Sequence, residues 1–247
     1  GSLVWSIVLI VNKFVNNSVD LIMANATNAV KAAREATSEI PIVGTSVTDY
    51  VESGLVASDE APGANLTGAS DNNPVEVQVE LMEKLCPEVK TVGIVYCSSE
   101  ENSKIQADEA QAAFEAKGYI IKQYTAADSN ELQSVVTAAC AEVDGFYQPT
   151  DNLVAANMEI IRNVTVPSGK PVICAEQSIC EVGGLATYSI GYYGLGYEAG
   201  LMAYDILANG KNPGEIPVFH FDTSSLELYI NEEIAADLGI TIPDSLK

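Results

Sequence analysis

Positive charge, histidine, tryptophan and long apolar runs are all scarce in this sequence. Lys and Arg total 12 of 247 residues against 34 Asp and Glu, a formal net charge of −22. A field of that sign repels phosphate backbones and argues against a nucleic-acid partner. The longest apolar run, Leu3–Val11, is interrupted by Ser6. It reaches about half of the roughly 20 residues that a bilayer span requires. Cys86, Cys97, Cys140, Cys174 and Cys180 are too few for a disulfide scaffold in a chain of this length, and none forms a C-x-x-C pair. They read as small buried hydrophobes, with Cys174 and Cys180 the one pair whose spacing allows a local bridge. Gly (18) and Pro (10) stand near average usage, which excludes collagen-like and low-complexity chains. Apolar residues make up 47%, enough to bury a sizeable core and to exclude general disorder.

Catalytic signals are equally thin. The single histidine, His220, lies in the alternating stretch Val218–Asp222, and no G-x-S-x-G accompanies it. A zinc site would have to combine one His with irregularly spaced Cys. Gly194, Gly196 and Gly200 open a helix after a strand, but their spacing is one residue too long for a dinucleotide fingerprint. Tight helix–strand packing is the expected reason for them. A Walker-type phosphate loop is missing as well, so no enzyme activity, metal or cofactor is expected.

What the chain does have is alternation. Short apolar runs, such as Val19–Ala24, Ile40–Gly44, Thr91–Tyr96, Gly145–Tyr147 and Pro171–Ala175, read as strands buried on both faces. Helical patterns separate them: residues 5–16 with a stripe at Trp5, Val8, Val11, Phe14 and Val15, then Asn28–Thr37, Val75–Leu85, Lys104–Lys117, Ser129–Ala141 and Leu153–Val164. Strand Tyr119–Tyr124 falls among them, followed later by strand Leu185–Ile190, helix Tyr193–Asn209, strand Pro217–Phe221, the segment Leu226–Ile230 and helix Glu232–Leu238. Repeated βαβ units predict an α/β protein with parallel sheets. The strands outnumber what one sheet needs, and Asn72-Asn73-Pro74 marks a crossing. We expect two doubly wound, Rossmann-like lobes, residues 3–72 with 186–216 and residues 73–185 with 217–247.

Ligands of such sheets bind outside the carboxyl ends of the strands. Those ends carry Asn25, Thr27 and Asn28; Thr45 and Ser46; Ser98 to Ser103; Asp151 and Asn152; and Glu176 to Ser178. Helix N-termini there offer free N–H groups suited to a carboxylate. Each residue is also an ordinary N-cap type. The concentration of such residues favours a small polar or zwitterionic ligand.

Several of these segments, in order, resemble one family: Asp20-Leu-Ile-Met-Ala-Asn-Ala-Thr27, Ile40-Pro-Ile-Val43, Val47-Thr-Asp49 and Asn65-Leu-Thr-Gly-Ala-Ser-Asp71. So do Val92-Gly-Ile-Val-Tyr96 with Glu100-Glu-Asn-Ser103, Pro149-Thr-Asp-Asn152, Tyr192-Tyr-Gly-Leu-Gly196 and Ile240-Thr-Ile-Pro243. The family is the ABC-transporter substrate-binding lipoproteins that include tryptophan-binding proteins of Gram-positive bacteria. The resemblance runs from about Ile10 to Lys247. It implies a type I periplasmic-binding-protein clamshell with an amino acid, aromatic by preference, in the interlobe cleft. It also implies an ABC permease as partner and an extracellular, membrane-anchored lipoprotein as the native form. Carried over, Thr27 and Asn28 with Thr45 and Ser46 would hold the ligand carboxylate. Glu100, Asn102, Ser103, Asp151, Asn152 and Glu176 would line the other side, one carboxylate facing the ammonium group. Tyr188 and Tyr192 would flank an apolar side chain.

Two departures from the family pattern set further expectations. Members begin with a strand, a helix and a strand ahead of the helix matching Ile10–Val15, whereas Gly1-Ser2 reads as a cloning remnant and Leu3–Ser6 does not resemble that opening. The first lobe is therefore expected to be incomplete, with Asp20–Ala24 at a bare edge and self-association through the N-terminal segment. Gly191 stands where many relatives carry an acidic or amide residue. The alternative functions are a truncated or engineered fragment without ligand binding, a repressor's effector core, which lacks its basic helix-turn-helix here, and a flavodoxin-like enzyme.

Overall fold

A computed structural model describes residues 2–247, with side chains from residue 5 onward. The chain runs α1 (Ser2–Asn16), β1 (Ile22–Asn25), α2 (Thr27–Ala36), β2 (Ile42–Val47), β3 (Leu66–Ser70), α3 (Val75–Leu85), β4 (Thr91–Cys97) and α4 (Glu101–Ala116). It continues through β5 (Ile120–Ala126), α5 (Ser129–Cys140), β6 (Gly145–Gln148), α6 (Asn152–Ala155), α7 (Met158–Thr165), β7 (Val172–Cys174) and α8 (Gln177–Gly183). Last come β8 (Ala186–Ser189), α9 (Tyr192–Asn209), β9 (Glu227–Ile230) and α10 (Glu232–Asp237). This is the α/β alternation that the apolar runs predict.

Two compact units divide the chain: residues 1–72 with 190–225, and residues 73–189 with 226–247. The sequence boundaries put 186–189 in the first lobe and 217–225 in the second; the structure assigns both the other way. Backbone pairing decides each case. Strand β8 lies antiparallel to β9 (Thr187 opposite Tyr229), which keeps it in unit 2. Val218 donates to the Asp59 carbonyl at 2.7 Å and Phe219 to that of Gly68 at 2.9 Å, which keeps them in unit 1. The expected strand Pro217–Phe221 is reduced to one parallel bridge between Ala69 and Phe219. Pro217 has no N–H to extend it.

Unit 1 holds a three-stranded parallel sheet in the order β1-β2-β3. Ile22, Ala24, Ile42 and Leu66 face a core with Val30 and Ala33 of α2, while Val43 on the other face packs against Ala199, Met202 and Ile206 of α9. Gly44 and Gly68 are required on the first face, because a Cβ at either would lie within 2.5 Å of the Tyr50 hydroxyl. Helix α1 turns Val11 into this core, with Ile7 and Val15 packed partly against it. Trp5 and Phe14, expected on the inward stripe, are exposed. A helix apolar almost all round has no single phase to read from sequence.

Unit 2 holds six strands in the order β5-β4-β6-β7-β8-β9, parallel except for β9. One face packs on α3 and α4 through Met82, Phe114 and Tyr147; the other packs on α5 and α7 through Leu132, Val136 and Ile161. The single helix expected at Leu153–Val164 is broken into α6 and α7. Asn157 (φ −135°, ψ 18°) leaves the helical region there, and its side chain caps the Leu153 carbonyl at 2.8 Å.

The expected packing role of the α9 glycines holds only at Gly194, where a Cβ would meet the Phe221 ring at 2.9 Å. Gly196 and Gly200 face open space.

Candidate functional site

The carboxyl ends of β1 and β2 border a cavity of about 350 Å³ in unit 1, lined by Asn25, Thr45, Ser46, Tyr192, Met23, Ala24 and Gly196. Two non-glycine residues beside it hold unfavourable backbone angles. Ala26, which ends the β1 turn, has φ 73° and ψ 151°, a region essentially restricted to glycine. Ser46 has φ 56°. Ala26 donates its N–H to the Thr45 carbonyl at 3.0 Å, which ties the two strained turns together.

The strain has a local consequence. Ala26 is the N-cap of α2 and has no side-chain acceptor to offer. Helices α5, α6, α8 and α10 carry a side-chain cap from Asp128, Asp151, Glu176 and Asn231, whereas α2, like α3, α4, α7 and α9, has none. The first turn of α2 therefore keeps its orphan N–H groups and its partial positive charge at the strand end. Thr27 is buried and Asn28 half-buried in that turn; Thr45 and Ser46 line the cavity itself.

Opposite polarity comes from Asp71, which is buried at the end of β3 and accepts from the Tyr192 hydroxyl at 3.0 Å. Sequence reading named Asn25 only as a strand-end residue, outside the set carried over to the ligand, and gave Asp71 no site role. Their position one residue past, or last in, a buried strand was the available signal.

In unit 2 the residues at the ends of β4 and β6 are brought together and engaged with one another, while Glu176 caps its own helix. Glu100 accepts from Asn152 N at 3.0 Å, Asn152 Nδ2 at 2.6 Å and Leu153 N at 3.0 Å. Asp151 accepts from Cys97 N at 2.7 Å and Val154 N at 2.8 Å. Burial, reinforced by repulsion from Glu100, pushes the Asp151 carboxyl above the ordinary carboxylate range, against the lowering effect of those N–H groups. Glu176 accepts from Ser178 N, Ser178 Oγ and Ile179 N at 2.7 to 2.9 Å. Ser103 Oγ and Asn102 Nδ2 both donate to the Thr150 carbonyl. Asn102 Oδ1 is buried with no hydrogen-bond partner among the described residues.

Tyr188 and Tyr192 fall in different units. Tyr188 belongs to β8 in unit 2, packs against the core, and its backbone is clamped by the Gln78 amide (2.6 and 3.1 Å). The remaining reactive groups are placed elsewhere. His220 pairs with Asp59 at 2.9 Å, and all five cysteines carry free thiols, Cys174 and Cys180 both buried. Among the described residues, no cluster of His, Cys, Asp or Glu could hold a metal ion, and no helix is long and apolar enough to cross a membrane.

Two units of parallel α/β structure with polar strand ends are the architecture of the type I periplasmic binding proteins. The family pattern described as ABC transporter substrate binding protein matches residues 5–247, and this chain belongs to that family. It is accordingly an extracytoplasmic substrate-binding protein of an ABC transporter. It is 38% identical over 240 residues to the tyrosine-binding protein of Clostridioides difficile strain R20291, covering 96% of this chain and 69% of that one. Among solved structures it is similar to the ABC domain in complex with L-Trp from Streptococcus pneumonia (TM-score 0.94, 36% identity). It is also similar to a conserved domain protein from Vibrio cholerae O1 biovar eltor (TM-score 0.94, 34% identity). Each likeness covers 98% of this chain and 81% of the other.

Proposed function

We propose that this protein binds a free aromatic amino acid, tryptophan or tyrosine, and delivers it to the permease of an ABC importer. The observation that carries the reading is the uncapped N-terminus of α2, held by the strained Ala26 next to the cavity of Thr45, Ser46 and Tyr192. Such an end is a prepared seat for a carboxylate. Thr27 and Asn28 supply its N–H groups, and Thr45, Ser46 and Asn25 add hydroxyl and amide partners. Buried Asp71, behind the Tyr192 hydroxyl, provides the negative field that an ammonium group requires. The Tyr192 ring flanks the ligand's apolar part.

In unit 2 we assign Glu100, Asp151, Asn152 and Glu176 to holding the strand-end turns in shape, because each is engaged in its own cap network. Asn102 and Ser103 anchor Thr150, and Tyr188 serves the core. The L-Trp complex of the pneumococcal relative and the tyrosine-binding relative support an aromatic ligand. Catalysis is not part of this reading, and the native anchor is a lipid, as in the lipoprotein members of the family.

The test is a thermal-unfolding screen against the twenty L-amino acids. A ligand at 100 times its Kd stabilises by about 2.7 kcal/mol, so tryptophan or tyrosine should give the largest rise. A flat response to all twenty would overturn the reading.

A further inference from the structure

Of the five cysteines, two stand against each other. Cys97 faces the Ser99 hydroxyl at 3.3 Å, and Cys140 lies beside that of Ser168. Cys86 belongs to the opposite core of unit 2. Cys174 and Cys180 share one core, and their thiols are within hydrogen-bonding reach of one another. We propose that Cys174 and Cys180 are joined by a disulfide in the extracytoplasmic protein, and that this bond locks the strand-end turn carrying Glu176.

The packing around Gly184 carries the pairing. Cys174 ends β7, opposite Gln148 of β6, and Cys180 lies in the helix that follows, α8. A Cβ placed on Gly184 would fall 2.2 Å from the Cys174 sulfur and 3.2 Å from that of Cys180. Both sulfurs therefore converge on one point, and the bare Cα of Gly184 makes the room for them. The backbones are held as well. The Cys180 carbonyl accepts from Gly184 N at 3.0 Å and from the Asn231 amide at 3.2 Å. Ala175, next to Cys174, donates to the Gln148 carbonyl at 2.9 Å. The contact is thus a fixed feature of this βα unit.

The reaction needs one oxidant, a disulfide of low molecular weight or of another protein, the kind of oxidant that operates outside the cytoplasm. One cysteine, as thiolate, attacks the oxidant's S–S bond and expels one thiolate, leaving a mixed disulfide. The second cysteine gives up its proton and attacks the first sulfur, expelling the other half of the oxidant. Two S–H bonds are lost, one S–S bond forms, and the two electrons leave with the oxidant as two thiols. Burial sets the timing. Both residues are 0% exposed in the folded chain, and burial holds the Cys174 thiol well above its ordinary range. The folded form therefore offers the oxidant no access and little thiolate at Cys174. The bond closes during folding, before α8 settles on β7.

The bridge spans Glu176, whose carboxylate accepts from Ser178 N and Ile179 N and caps α8. A closed loop from Cys174 to Cys180 restricts the unfolded chain and holds that cap against the strand end. Cys86, Cys97 and Cys140 remain thiols.

Refolding the full chain tests this without any ligand. Protein unfolded in guanidinium with a reductant is returned to buffer containing oxidised and reduced glutathione, then denatured and treated with N-ethylmaleimide. Three of the five cysteines should be alkylated, and a proteolytic fragment should link Cys174 to Cys180. Before alkylation the mass should be lower by two hydrogens. Folded, reduced protein given the same oxidant should bridge at least about tenfold more slowly. The bridged form should melt about 5 °C above the reduced form. Cys180→Ala cannot close the bond, so all four of its cysteines should be alkylated and the difference in melting should vanish. Should that variant fold poorly, the alkylation and the linked fragment of the unsubstituted chain decide. Five alkylated cysteines after refolding, a link to any other cysteine, equal rates of bridging, or equal melting of the two forms would overturn the proposal.

Discussion

Ala26 and Thr45 are joined by a 3.0 Å hydrogen bond from the N–H of one to the carbonyl of the other, across the ends of two parallel strands. The bond accompanies an angle pair that alanine avoids, and Ala26, with no side-chain acceptor, leaves α2 without a side-chain cap. In such proteins strain of this kind is held at the working site by the surrounding fold.

Replacing Ala26 by Gly should therefore stabilise the protein by about 1 kcal/mol, the relieved strain exceeding glycine's entropic cost. The same change should weaken ligand binding severalfold, because the seat is no longer pre-organised. Denaturant titration and calorimetry read both effects. A destabilised variant would show that the angle is not strained.

Glu100→Ala separates structural from ligand-binding use of that carboxylate. Removing it leaves three donors at the head of α6 without their acceptor, at a cost of about 3 kcal/mol. Urea denaturation checks this. Unchanged stability with lost affinity would instead return Glu100 to the ligand.

The pH response differs between two aspartates of unit 2. Burial and the nearby Glu100 raise the Asp151 carboxyl, whose contribution favours the folded state in acid and is lost as pH rises through its raised value. Hydrogen bonds from the N–H groups of Thr91 and Lys90 lower that of Asp144; its contribution is present above the ordinary carboxylate range and lost as pH falls through the lowered value. Carboxyl-carbon NMR titration should give Asp151 the higher midpoint. The reverse order would contradict the burial argument.

The strands that bury both faces, such as β2 and β4, were legible because their apolar runs are continuous. β3 was not recognised as a strand, although all five of its residues are buried. Its Thr67, Gly68, Ala69 and Ser70 are too small and polar to announce a core, and Gly68 is there to admit the Tyr50 hydroxyl. Helix α8 was missed because its capping Glu176 read as a ligand group. At the site, Thr45 and Ser46 were legible as strand-end hydroxyls. The strain at Ala26 was not, since an alanine carries no signal of its backbone angle. Nor could composition reveal that Glu100, Asp151 and Glu176 satisfy backbone N–H groups, because caps and ligand contacts use the same side chains.

The central claim is that unit 1 recognises an amino acid by its carboxylate. Titration calorimetry comparing L-tryptophan with tryptamine, which lacks only that group, tests it most directly. The account predicts one site for L-tryptophan and at least about a hundredfold weaker binding of tryptamine, about 2.7 kcal/mol for the lost charge-assisted hydrogen bonds. Equal affinities for the two compounds would contradict it.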